Sequence, residues 1–159
     1  MGYELFVVPV PRGGDLEETA EALLTLLRSG HERFPRSPGA LDRADAVVCS
    51  LRDDLGFALV ESGRSPSAWK RLRAESGLSI VVAPSFVRVQ LPFDWSGDEA
   101  KDRFTQLFDV LARVVDATGW QVYDPQDAAP VSVDEPGLRA TLDIYLSVMD
   151  QIRPGGSSA

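Results

Sequence analysis

The side chains with the most chemical potential in this chain are carboxylates near its end. Tyr123-Asp124-Pro125-Gln126-Asp127 sets two acids, an amide and a phenol around one proline. Asp94 and Asp98 stand in a second short polar stretch. Four acids gathered at one end of a sheet would supply hard oxygen ligands of the kind magnesium or calcium takes. Their spacing fits no cation-loop motif, and Asp98 sits where it would serve a helix N-terminus. No metal and no cofactor is therefore expected. Asp124 followed by Pro125 has a simpler use: its carboxylate accepts backbone N–H groups and shapes a turn. The functional reading of the same stretch is a binding surface. Asp94, Asp124, Gln126 and Asp127 would form a polar rim, with Trp95 and Tyr123 as aromatic anchors, the residue types that concentrate interface energy.

Nucleophilic chemistry is poorly supplied. His31 is the one histidine and Cys49 the one cysteine. Cys49 falls on an apolar helical stripe, where a thiol is ordinarily a small buried hydrophobe. Pro11-Arg12-Gly13-Gly14 between strand and helix resembles a phosphate cradle only faintly, since Asp15, Glu17, Glu18 and Glu21 follow and would repel an anion. No catalytic residue is assigned. Arg64, Lys70, Arg71 and Arg73 make one basic patch, read as a solvated helix face or a contact for an acidic partner.

The charge balance narrows the partners. The 159 residues carry a net charge of -8, and residues 81–159 hold 6 basic against 12 acidic residues. Such a surface repels phosphate backbones and speeds encounter with a basic protein. The single cysteine excludes an internal disulfide. Pro9 and Pro11 interrupt the first apolar run, so neither a membrane span nor a signal peptide is expected. A cytoplasmic protein-binding chain follows as the reading, with no nucleic acid and no membrane as partner.

These residues need elements to position them. Tyr3 to Val8 is a strand-like apolar run ended by Pro9. Asp15 with Glu18 marks a helix start, and Leu16, Ala20, Leu23, Leu24 and Leu27 keep helical spacing. Residues 31–39 read as a loop. Leu41, Ala44, Val47, Val48, Leu51 and Leu55 mark a second helix over 40–55. Phe57 to Val60 fits a strand or a packed loop. Ser65-Pro66 opens a short helix to Gly77, with Trp69 and Leu72 turned inward. Leu78–Ala83 and Phe86–Leu91 form a hairpin, whose second arm alternates Val87, Val89 and Leu91 with Arg88 and Gln90. Arg88, Gln90, Gln121 and Tyr123 would share its open face. Ser96 with Glu99 starts a long helix to Ala117, followed by the strand Trp120–Tyr123. Asp134 and Pro136 begin a last helix.

Without the middle segments the order is strand, helix, hairpin, helix, strand. That is the ferredoxin-like split βαβ pattern, an α+β fold with an antiparallel sheet. Right-handed crossovers would put the helices starting at Asp15 and Ser96 on one face. Further helices lie in the middle and at the C-terminus. Residues 1–153 make a single α+β domain, and residues 154–159 read as a disordered tail.

Three segments also carry a resemblance: Tyr3-Glu4-Leu5, the hairpin end Leu91-Pro92-Phe93-Asp94-Trp95, and Thr118-Gly119-Trp120-Gln121-Val122-Tyr123-Asp124-Pro125-Gln126. In these the chain is similar to small bacterial proteins of unknown activity, related in kind to cytoplasmic immunity or accessory proteins of toxin loci. Residues 31–77 take no part in it. The resemblance implies an inhibitor without catalytic residues whose partner is a toxin, a basic one given the charge. A small enzyme or ligand-binding regulatory domain is the alternative, using a carboxylate cluster or a pocket between the sheet and the added helices. A homodimer through an exposed edge strand is a third.

Overall fold

The computed structural model describes residues 2–30, 38–63 and 69–152. Its elements in chain order are β1 (Gly2–Val8), α1 (Leu16–Arg28), α2 (Ala40–Asp53), β2 (Ala58–Ser62), β3 (Lys70–Arg73), β4 (Ser79–Ala83), β5 (Phe86–Pro92), α3 (Gly97–Thr118), β6 (Gln121–Asp124), β7 (Ala129–Val131) and α4 (Glu135–Ile152). The strands form one antiparallel sheet in the order β2-β3-β4-β5-β1-β6-β7. The α+β class and the hairpin β4–β5 agree with the sequence pattern.

β1 lies inside the sheet, between β5 and β6. It is covered on both faces, which is why Tyr3 to Val8 reads as apolar with little alternation. Its side chains still divide by the period of two. Tyr3, Leu5 and Val7 join a core with Val47, Val48 and Leu51 of α2, Phe104, Leu107, Phe108 and Leu111 of α3, and Tyr145 and Met149 of α4. Phe6 and Val8 face the other way, with Phe86 and Tyr123, and meet Ala20 and Leu24 of α1. Three helices cover the first face and one covers part of the second.

That placement corrects one expectation. Helical spacing says that α1 buries a stripe but not against which face, and α1 lies opposite α3, not beside it. β1 and β4 run parallel with β5 between them, and β5 and β6 run parallel with β1 between them. Connections over one face then share one hand, and a single hand is strongly preferred. α2, packed beside α3, satisfies that geometry for the link from β1 to β4. α1 is therefore an excursion to the opposite face.

A second correction concerns residues 70–73, which are strand and not helix. Trp69 and Leu72 stand three apart, one face of a helix but opposite faces of a strand. Leu72 enters the first core and Trp69 packs on the second, as strand geometry requires. The expected start at Ser65-Pro66 and the tail 154–159 lie outside the described residues, as does most of the 31–39 loop. Residues 58–62 form an edge strand, exposed throughout. β7 has no counterpart in the sequence reading. Asp15 caps α1 by accepting the Glu18 N–H at 3.2 Å, whereas Ser96 makes no side-chain cap to α3. Asp134 accepts the Gly137 N–H at 2.8 Å at the start of α4. Among the described residues no helix is long and apolar enough to cross a membrane.

Candidate functional site

The structure divides the expected rim into two sets. Asp94, Gln126 and Asp127 are exposed. Trp95, Tyr123 and Asp124 are buried, so the reading of Trp95 and Tyr123 as surface anchors is corrected. The Trp95 ring packs against Phe104 and Tyr145, with centroids 6.4 and 6.0 Å away, and its Nε1–H donates to the Ser76 carbonyl at 3.1 Å. Tyr123 stands on the α1 face, and its hydroxyl donates to Glu21 Oε1 at 2.8 Å. This bond pins α1 to the sheet. Burial, then the Glu21 hydrogen bond, holds the Tyr123 hydroxyl above the ordinary phenol range.

Asp124 ends β6 and takes the turn-forming role that its place before Pro125 suggests. Its Oδ1 accepts the Gln126 N–H at 2.8 Å, and the Tyr3 hydroxyl donates to Oδ2. Burial pushes the Asp124 carboxyl up. The Tyr3 hydroxyl and the backbone N–H groups of Gln126 and Asp127 pull it back in part. Tyr3 is itself raised by burial and by its acidic partner. The pair fastens the β6–β7 turn to the middle of the sheet, a structural task.

Other expected constellations do not assemble. Among the described residues no three His, Cys, Asp or Glu side chains stand close enough to hold a metal ion. Cys49 is exposed instead of buried, and His31 lies outside the described residues. The basic patch sits on β3 and not on a helix: Lys70 pairs with Asp45 and Arg71 with Glu61, each at 3.6 Å. Arg73 is exposed, and Arg64 lies outside the described residues. Of the four residues placed together on the open face, Arg88 and Tyr123 both stand opposite Phe6, Gln90 opposite Glu4 and Gln121 opposite Val8. They share a face but do not converge.

A concavity lies elsewhere among the described residues. The chain leaving β1 at Val8 passes Pro9, Val10 and Pro11 before Gly14 and the α1 cap. These residues, one flank of α1 and the Pro84–Ser85 turn enclose a groove of about 780 Å³. Thr19, Ala22, Leu23 and Leu26 of that flank recur at helical spacing and make its wall largely apolar. Asp15 and Glu18 stand at its edge. Neither takes part in an ion pair among the described residues. The wall thus offers apolar contact beside two acids.

The prolines and leucines of this groove are visible in the sequence. What hides the site is its assembly: Pro84 is brought to α1 only by the pairing of β4 and β5 with β1. In comparisons with known proteins, no family model, no curated protein and no solved structure matches the chain.

Proposed function

We propose that this chain is a non-enzymatic binding protein of the immunity or inhibitor type, acting in the cytoplasm on a basic protein such as a toxin. The observation that carries the reading is the apolar groove beside α1, edged by Asp15 and Glu18. Its complement is a segment with apolar side chains along one side and lysine or arginine at the margin. Apolar burial would supply the affinity and the acids would steer the encounter. Asp94, Gln126 and Asp127 add to the polar surface, the two acids to its negative field. Asp124, Trp95 and Tyr123 contribute to the surface only through the structure they hold. We also read β4-β5-β1-β6 with α2 and α3 as a ferredoxin-like unit, to which α1 adds the groove. That reading rests on the strand order and on the shared face of the two helices.

Self-association through a sheet edge is less well supported. β2 carries an irregularity between Leu59 and Glu61, and β7 is three residues long with Pro130 at its centre. Both features discourage strand addition.

The test is retention of a host protein by the tagged chain, compared with Ala22→Arg and Glu18→Lys. Ala22 is exposed on the groove wall, so the arginine fills the groove without disturbing the core. A partner held by the parent chain should be lost by Ala22→Arg. With Glu18→Lys it should associate more slowly, with a weaker salt dependence. A partner bound equally by all three chains would place docking elsewhere.

A further inference from the structure

The face that α1 shares has a second half. Past Phe6 and Tyr123, toward β3 and β4, the side chains turn polar. The register sets one row across four neighbouring strands: Arg73 opposite Ser79, Ser79 opposite Gln90, and Gln90 opposite Glu4. Cross-strand neighbours in such a row stand about 5 Å apart, so each can share a ligand with the next. Beside the row opens a cavity of about 430 Å³, walled by Glu4, Ser79 and Gln90 and by Gly2, Gly77, Leu91 and Pro92.

The hydrogen bonds in this row are incomplete. Gln90 Nε2 donates to Glu4 Oε1 at 2.8 Å. Ser79 is 8% exposed, and its buried hydroxyl has no partner among the described residues. A buried hydroxyl without a partner costs free energy and is uncommon in native proteins. Arg73 takes part in none of the ion pairs among the described residues. Further along β5 on the same face, Arg88 has a buried Nε that is also without a partner among the described residues. The row itself offers one cationic donor at the β3 end, a hydroxyl and an amide in the middle, and a carboxylate at the β1 end.

We propose that this row is a binding site for a free α-amino acid. The ligand's ammonium group would lie on Glu4 and the Gln90 side-chain oxygen. Its carboxylate would accept from the Ser79 hydroxyl and the Arg73 guanidinium. Glu4 would repel a plain anion, and Arg73 a plain amine. A small zwitterion matches both ends and the hydroxyl between them. The site stands on a different part of the face from the groove, so it is tested independently of partner binding.

Saturation-transfer NMR on the full chain with a mixture of the twenty common L-amino acids tests the assignment. Transfer to at least one of them is expected, and that one is then titrated by calorimetry. Glu4→Gln, Arg73→Gln and Ser79→Ala should each weaken its binding about tenfold or more, the worth of one charge-assisted hydrogen bond. The decarboxylated amine and the deaminated acid of the same side chain should bind weaker by a similar factor. Thermal unfolding followed by circular dichroism checks that each variant is folded, and Arg73, being exposed, is the substitution that least disturbs the fold. Absence of transfer to any amino acid overturns the proposal. So does binding that survives all three substitutions, or an amine that binds as tightly as its parent amino acid.

Discussion

Replacing Tyr3 with Phe removes a single hydroxyl from the interior, and the structure says how its cost should vary with pH. Tyr3 and Asp124 are 0% and 1% exposed, and the lost hydroxyl donates to the Asp124 carboxylate. A hydrogen bond to a charged acceptor contributes about 1.5–3 kcal/mol, and a neutral one about 1 kcal/mol. Burial already raises the Asp124 carboxyl above its usual value, and the neighbouring Asp127 charge acts in the same direction. A raised folded-state pKa favours the folded protein below the unfolded pKa, near 3.9. That contribution is lost as pH rises through the folded value. The Tyr3 hydroxyl holds the carboxyl lower than burial alone would. Without it the folded pKa climbs further, and the loss extends to higher pH. The Phe variant should thus cost about 1 kcal/mol near pH 4 and about 2–3 kcal/mol near neutrality. Urea unfolding of parent and variant at both pH values measures this, since contributions from other groups cancel in the difference. In an Asp124→Asn background the Phe substitution should cost about 1 kcal/mol at either pH. An equal penalty at both pH values with Asp124 present would refute the reasoning. So would a pH-dependent penalty that persists in the Asp124→Asn background, where no carboxylate is left to accept the bond.

Three further outcomes follow from particular contacts. Ser79→Ala removes a buried hydroxyl that has no partner among the described residues and should stabilise the ligand-free chain by about 1 kcal/mol, read as a higher urea midpoint. Gly137→Ala would drive a methyl group into the Ser132 carbonyl oxygen, so the chain entering α4 must shift; a loss of about 1–3 kcal/mol is expected in the same assay. Trp95→Ala empties a fully packed position between α3 and α4 and should cost about 3–5 kcal/mol, with loss of near-ultraviolet circular dichroism from the aromatic cluster.

Local patterns in the sequence carry the elements well. The Asp15 cap and the spacing of Leu16, Ala20 and Leu24 place α1, and the alternation of Val87 and Val89 with Arg88 and Gln90 places β5. The stripes of α2 and α3 hold too, except that Leu41 is half exposed. What local patterns do not carry is the choice of neighbour. The spacing of Trp69 and Leu72 is ambiguous between helix and strand until β2 and β4 pair on either side of β3. Trp95 stands just before a helix cap and close behind a proline, a typical surface setting. It becomes core only because Tyr145, fifty residues later, donates to the Pro92 carbonyl and closes over it. Tyr3 and Asp124 are 121 residues apart, beyond the reach of any periodicity. The aromatic members of the expected rim are buried for that reason: Trp95 and Tyr123 each have a long-range partner.

The two faces of the sheet differ in what they leave available. On the first, α2, α3 and α4 bring enough apolar side chains to seal the strands, and Thr141 is the one buried polar residue of α4. Among the described residues, α1 is the one helix on the second face, held by its apolar stripe and the Tyr123–Glu21 bond. One helix about 10 Å wide cannot cover seven strands spaced about 4.8 Å apart. Space therefore remains beside α1 on the β5 and β4 side, and the side chains facing it are not interchangeable. Near the β4–β5 turn it keeps prolines and leucines beside acids that form no ion pair among the described residues; toward the other end of the strands it keeps a row of polar groups with donors and acceptors to spare. A face shaped for stability alone would replace Ser79 and Arg88 with apolar residues, since burying their unpartnered atoms only costs free energy. Retention of the Ser79 hydroxyl next to a cavity is the physical reason to look for function on the α1 side of the sheet.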